Sequence, residues 1–262
     1  MTASRPYILS ELNYADVKAG EYEVAVLPFG ATEPHNLHLP YGTDWFEGTL
    51  MGEAICARAH EMGAKVLLLP TIPYGVENNM RECRLAMNVQ QATLNLLVTD
   101  LVDSLVNHGI RKIVLLNSHG GNEWKPLLRD LHGRTPARLF LCNWFKVLDD
   151  VYGSIFDQKD DHAGEMETSL ILAWRPELVA KKRDGSLAAD PGAVNASRFE
   201  AVNKGWVSIT RPWHLLTTNT GSGNPHGATA EKGRRAVELI VQRLAPFLKE
   251  LSDAEIDERF PF

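Results

Sequence analysis

The densest group of chemistry-bearing residues is the run GATEPHNLHLPYGTD over positions 30–44. In an extended loop, side chains two apart face the same way, so Glu33 and His35 can address one centre. Pro40 and Gly42 supply a turn that can bring Asp44 back to the same place. Carboxylate and imidazole are the ligands that zinc, manganese or iron take from protein, and one carboxylate can be shared by two ions. The residues also admit a plainer reading, in which Asp44 caps the helix beginning at Trp45 and His35 and His38 are loop residues.

Three further clusters follow in the chain. His119 stands before Gly120, Gly121 and Asn122 in NSHGGN, and the two glycines allow close backbone approach to a ligand. Helix N-terminal amides beyond them can face an anion or a developing oxyanion, although a tight strand-to-helix turn explains the same glycines. Next, DHAGEMETS places Asp161 beside His162, a pairing that can orient an imidazole for proton transfer. Its Glu165 and Glu167 sit in a first helical turn, where the helix dipole alone favours carboxylates. Last, GSGNPHGATAEKG over 221–233 opens the final helix as a cap, a lid or a subunit contact. A GxSxG elbow and a GxGxxG fingerprint are both absent, which disfavours a serine hydrolase and a dinucleotide site.

The elements that must position these residues are legible as apolar runs. Strands are expected at 24–29 (VAVLPF), 65–69 (KVLLL), 112–116 (KIVLL) and 138–143 (RLFLCN). Helices are expected at 45–60, at 91–108 with Gly109 as its stop, after 122, at 170–174 and at 228–251. Continuous apolar strands alternating with helices predict a mostly parallel sheet covered on both faces. In such sheets ligands sit beyond the carboxyl ends of the strands, where the first two clusters fall. The polar stretch 181–196 reads as an irregular excursion. Neither a repeat nor a linker stands out, so residues 1–262 are read as one domain.

Bulk properties exclude other classes. Of 262 residues, 44% are hydrophobic and 23% charged, which suits one well-filled α/β domain. The net charge of -6 and the lack of a basic run argue against nucleic-acid binding. No stretch approaches the roughly 20 apolar residues a membrane helix needs. The opening lacks the pattern of a secretory signal, and Cys56, Cys83 and Cys142 are scattered, so a reducing cytoplasm is expected.

Taken in order, the four motifs resemble the creatininase (creatinine amidohydrolase) family from about Ser10 to Ile240. GATEPHNLHLPYGTD is similar to G-[AS]-x-E-Q-H-G-x-H-L-P-x-x-T-D, NSHGGN to N-G-H-G-G-N, and HAGEMETS to H-[AG]-G-x-x-E-T-S. The resemblance implies a single-domain three-layer α/β/α sandwich and hydrolysis of carbon–nitrogen bonds in small cyclic amides, amidines or formamides by metal-activated water. It implies one or two divalent ions (zinc, manganese or iron) and a homo-oligomer, commonly a hexamer. By position, Glu33, Asp44 and His119 would hold one ion, and His35 with the shared Asp44 the second. His162, backed by Asp161, would transfer the proton, and Gly120 and Gly121 would face the substrate.

Three departures narrow this expectation. Creatininase itself has a glutamate for the second ion where this chain has Gly121, and Glu167 is the expected replacement. EPHN stands for the usual EQHG. The segment after Tyr74-Gly75 departs from the FPGT-like pattern, and its Glu77 and Asn78 are expected to line the substrate pocket. The competing readings are a metal peptidase trimming a short peptide and a non-catalytic member of the family.

Overall fold

A computed structural model of the chain describes residues 5–159 and 162–262. Asp161 lies outside the described residues. The core is a four-stranded sheet of β1 (Val24–Phe29), β2 (Val66–Leu68), β3 (Lys112–Asn117) and β4 (Arg138–Asn143), in the order β2-β1-β3-β4. Every pairing is parallel, and β1 and β3 run in register from Val24↔Lys112 to Phe29↔Asn117. The helices are α1 (Tyr14–Ala19), α2 (Thr43–Glu61), α3 (Gln91–Asn107), α4 (Lys125–Leu131), α5 (Glu165–Trp174), α6 (Glu200–Asn203), α7 (Trp213–Leu216) and α8 (Ala230–Asp253).

Alternation along the strands builds two cores. Val24, Val26, Val66, Leu68, Val114 and Leu116 face one side, against Met51 and Ile55 of α2 and Ile240 and Leu248 of α8. Ala25, Leu27, Phe29, Leu67, Ile113 and Leu115 face the other, against Leu94, Val98 and Val102 of α3 and Leu127 of α4. Right-handed crossovers account for this division. The β1-to-β2 step runs one way across the sheet and lays α2 on one face. The steps to β3 and β4 run the opposite way and lay α3 and α4 on the other. The result is the expected three-layer α/β/α sandwich.

The same topology creates a place for ligands. Successive connections from β1 and β3 leave in opposite directions, which opens a crevice beyond the carboxyl ends of these two strands. Because the two strands end side by side, the segments that follow Phe29 and Asn117 are forced together. The hydrogen bond from Ser118 N–H to the Phe29 carbonyl (2.8 Å) ties them at the mouth of the crevice.

The remaining helices close one side. α8 packs along both α5 and α2, and Thr229 caps it by accepting from Lys232 N–H at 3.2 Å. At Gly233 a β-carbon would stand 2.1 Å from the Ser169 carbonyl oxygen, so the close α5–α8 approach requires glycine. Residues 181–229 are largely irregular, as expected for 181–196, with only α6, α7 and one 3-10 turn inside them. No helix among the described residues is long and apolar enough to cross a membrane.

Candidate active site

Loops after β1 and β3 and the first turns of α2 and α5 converge in the crevice. Glu33, His35, Asp44 and His119 are all buried, as are His162 and Glu77, while Glu167 keeps partial access to solvent. Asp44 stands at the centre. Its Oδ1 lies 3.0 Å from His35 Nε2 and its Oδ2 lies 3.0 Å from His119 Nδ1. Helix α2 begins at Thr43 with Gly42 as its cap residue and no side-chain cap, so Asp44 is not the capping residue of the plainer reading. The helix start aims its carboxylate between two imidazoles.

The second nitrogen of each imidazole reports its tautomer. His35 Nδ1 meets the Glu33 carbonyl at 3.1 Å, His119 Nε2 meets the Val76 carbonyl at 3.1 Å, and His162 Nε2 meets the Pro34 carbonyl at 2.9 Å. A carbonyl can only accept, so each of these nitrogens carries the hydrogen. In the neutral rings, the lone pairs of His35 Nε2, His119 Nδ1 and His162 Nδ1 all point toward carboxylates. For His119 these are Asp44 Oδ2 at 3.0 Å and Glu33 Oε1 at 3.1 Å, and for His162 the Glu33 Oε1 atom at 3.6 Å. Lone pairs facing anions are repulsive unless a proton or a metal ion lies between them.

The fit of a metal ion can be tested on these distances. Donor atoms bound about 2.0–2.2 Å from one ion stand roughly 3.0–3.6 Å apart, and the His35–Asp44, His119–Asp44 and His119–Glu33 spacings fall at the start of that range. Three trios bring their ligand atoms within 4.8 Å of one another: Glu33, His35 and His162; Glu33, Glu77 and His119; and His35, Asp44 and Glu167. Asp44 Oδ2 and both Glu77 oxygens are buried without a properly directed hydrogen bond among the described residues. Buried carboxylates of this kind call for a cation. The donor set therefore fits one or two divalent ions.

Protons compete for the same lone pairs. Burial alone would depress the histidines, yet Asp44, Glu167 and Glu33 outweigh it and push His35 up to about 10. His119 rises well above its ordinary value against the same burial, under Glu33 and Glu77. Burial raises the Asp44 carboxyl, but the two histidines hold it below the usual carboxylate range. Glu33 is pushed up by burial and by Glu77 and Asp44, with His119 opposing. His162 behaves differently: burial and then the neighbouring His35 lower it well below the ordinary value, so it stays neutral.

Local sequence explains how these side chains are held. Asn36 takes the left-handed conformation (φ 53°) where the usual EQHG pattern has glycine, and asparagine is the next best tolerated residue there. Its side chain then accepts from Leu37 N–H (2.7 Å) and donates to the Asp190 carbonyl (3.1 Å). His162 is fixed from three sides. Its backbone pairs with Ser222, Nε2–H donates to Pro34, and its ring meets Trp213 edge-on at 4.9 Å. The glycine-rich 221–233 segment thus holds His162 as well as opening α8. Ala163, also left-handed (φ 53°), turns its N–H onto Glu167 Oε2. Glu167 Oε1 lies 3.9 Å from His35 Nε2, within the trio proposed for the place Gly121 cannot serve.

A cavity of about 800 Å³ opens over the centre. Gly120, Gly121 and Asn78 line it, together with Glu33, Asp44, His119, His162 and Glu167. Glu77 does not. Its side chain is fully buried against His119, with Oε1 2.8 Å from His119 Nε2, and it is not among the residues of the cavity wall, so its expected place there is corrected. The cavity also uses Trp144, Tyr152, Lys159, Arg211 and Trp213, which the sequence motifs missed. Trp144 carried a faint signal as an aromatic directly after β4; its Nε1–H donates to Ser118 Oγ at 2.5 Å.

A parallel α/β sandwich with a histidine–carboxylate cluster at its switch point is an open α/β fold with its candidate site where such folds bind ligands. The creatininase (creatinine amidohydrolase) family profile matches residues 10–248, and the chain belongs to that family. It is 30% identical to the mycofactocin precursor peptide peptidase of Mycobacterium ulcerans, covering 84% of each chain. It is 27% identical to creatinine amidohydrolase of Pseudomonas putida, over 94% of this chain and 98% of that one. Among solved structures, a candidate creatinine amidohydrolase from Bacteroides fragilis NCTC 9343 superposes with a TM-score of 0.86 at 35% identity, covering 98% of this chain and all of that one. A manganese form of creatininase shares the fold at a TM-score of 0.71 and 24% identity, over 95% and 99% of the two chains.

Proposed function

We propose that this protein is a metal-dependent amidohydrolase that cleaves a carbon–nitrogen bond of a small cyclic amide, amidine or formamide. The observation that carries the reading is Asp44, whose two oxygens each stand 3.0 Å from a different imidazole in the crevice between β1 and β3. Glu33, Asp44 and His119 would hold one ion; His35, Asp44 and Glu167 would hold a second. Zinc, manganese or iron bound there would act as a Lewis acid and lower the pKa of water from about 16 toward about 7.

The chain's own groups supply the rest. His162, neutral and hydrogen-bonded through Nε2–H, presents its Nδ1 lone pair to the centre, where it can take a proton and return it to the leaving nitrogen. Its hydrogen bond to Pro34 and the Trp213 edge fix the ring for that transfer. Gly120 and Gly121 offer backbone N–H groups at the cavity wall for the developing oxyanion. Asp44→Ala is expected to abolish bound metal and turnover together. Full turnover with stoichiometric metal in that variant refutes the reading.

Trimming of a short peptide is the second reading. The 800 Å³ cavity has room for several residues, and the Mycobacterium ulcerans peptidase is the 30% identical relative. A panel of cyclic amides and formamides against short peptides separates the two. We further take the chain to work as a cytoplasmic homo-oligomer, with hexamers the expectation of the resemblance. Three free cysteines and the exposed Phe199, Trp206, Val207 and Leu215 support this reading, which sedimentation tests.

A further inference from the structure

Glu77 has no place in the scheme above, and its surroundings are unusual. The carboxylate is fully buried, and neither oxygen finds a properly directed hydrogen-bond donor among the described residues. Buried carboxylate oxygens without a directed donor call for a positive partner. His119 cannot be the whole answer. Its Nε2 lies 2.8 Å from Glu77 Oε1, but the Nε2–H is directed at the Val76 carbonyl.

The backbone shows how Glu77 reaches this position. Val76 N–H donates to Asn122 Oδ1 (3.1 Å) and Glu77 N–H to Asn88 Oδ1 (2.8 Å), which pins the segment against the NSHGGN loop. A β-carbon at Gly121 would stand 2.4 Å from the Val76 carbonyl oxygen and 2.4 Å from His119 Nε2. The 76–77 segment therefore approaches His119 through space that any side chain at position 121 would fill. The chain lacks a carboxylate at 121, and by the same stroke it has room for one at 77. Ligand atoms of Glu33, Glu77 and His119 all come within 4.8 Å of one another.

We propose that Glu77 is a carboxylate ligand of a divalent ion held with Glu33 and His119, an inference that rests on the metal-site reading above. Three carboxylates and an imidazole around the first ion give an oxygen-rich set, which suits manganese or iron at least as well as zinc.

The test uses the full chain stripped with a chelator, titrated with Mn²⁺ by calorimetry and with Co²⁺ by visible absorption. The variants are Glu77→Gln and Asp44→Ala. The expected result is that Glu77→Gln weakens binding by about 100-fold or more, beyond the roughly 10–100-fold that losing a partner behind a ligand produces. The Co²⁺ bands change in shape and intensity, and the metal-free variant is at least as heat-stable as the metal-free wild type. A loss below about 100-fold with unchanged Co²⁺ bands makes Glu77 a positioning residue and overturns the proposal. If wild type binds neither ion, the metal-site reading itself falls; if wild type binds and Glu77→Gln binds equally, only the Glu77 assignment falls. Should Glu77→Gln fail to fold, anomalous diffraction from Mn²⁺-loaded wild-type crystals decides. A Glu77 oxygen in contact with the peak supports the assignment, and a peak that Glu77 does not touch overturns it.

Discussion

Gly121→Ala is a one-carbon perturbation whose consequences follow from distances. The new methyl would lie 2.4 Å from both the Val76 carbonyl oxygen and His119 Nε2. Ordinary contact needs about 3.4–4.0 Å, so both contacts must open by roughly 1 Å. The Val76 carbonyl is backbone, and its segment is tied to Asn122 and Asn88 by the 3.1 and 2.8 Å bonds. His119 is held by Val76 and faces Glu33 and Asp44 at 3.1 and 3.0 Å. Either response is damaging. If the segment moves, the cost is that of overpacking, about 1–3 kcal/mol of stability. If His119 swings, the ligand set opens, and metal affinity falls on the order of 10–100-fold. Urea unfolding of the metal-free protein reads the first outcome, and Mn²⁺ calorimetry reads the second. A variant unchanged in both would show that the 76–77 segment and the glycine loop are not in the contact described.

Other expectations follow from the same geometry. Lys232→Ala removes the ammonium that bonds the buried Glu165 carboxylate, which then keeps, among the described residues, the Asp157 and Gln158 N–H donors. Because the Lys232 side chain is 23% exposed, the expected loss is about 2 kcal/mol, below the 3–5 of a fully buried pair, and a urea midpoint shift checks it. His38 is lowered to about 4, chiefly by burial, so it folds neutral. A depressed histidine contributes stability that is present above pH 6.5 and lost as pH falls toward 4, by up to about 3 kcal/mol. His38→Gln should therefore flatten the acid limb of the stability profile between those values; an identical limb refutes it. Chelation should lower the melting temperature of metal-loaded protein, since ligand at about 1,000 times its Kd contributes about 4 kcal/mol. An unchanged melting curve after verified metal removal would count against a structural link between the site and the fold.

The layers of the fold were readable because every strand is an apolar run and helices α2, α3 and α4 alternate with the four strands along the chain. Strand order and crossover handedness then placed the loops after β1 and β3 together. Glu33, His35, Asp44, His119, His162 and Glu167 meet in that crevice because each lies within a few residues of a strand end or a helix start. Glu77 was not readable in the same way. Nothing about a glutamate in a loop tells whether its side chain lines the cavity or is buried against His119; that depends on the room left by Gly121, 44 positions away. The cavity wall from Trp144, Tyr152, Arg211 and Trp213 was equally hidden, since those loops reach the site only through tertiary packing. Asp44 shows a further limit. Near a helix start, capping and ligation use the same residue type, and only the Gly42 cap position distinguishes them.

The most direct measurement is anomalous diffraction at the metal edge from crystals of protein purified without added metal, paired with turnover of the same preparation. Density is expected against Asp44, between His35 and His119, and is expected to be lost together with activity in Asp44→Ala. Active protein whose crevice holds no metal at Asp44 would contradict the metal-site reading.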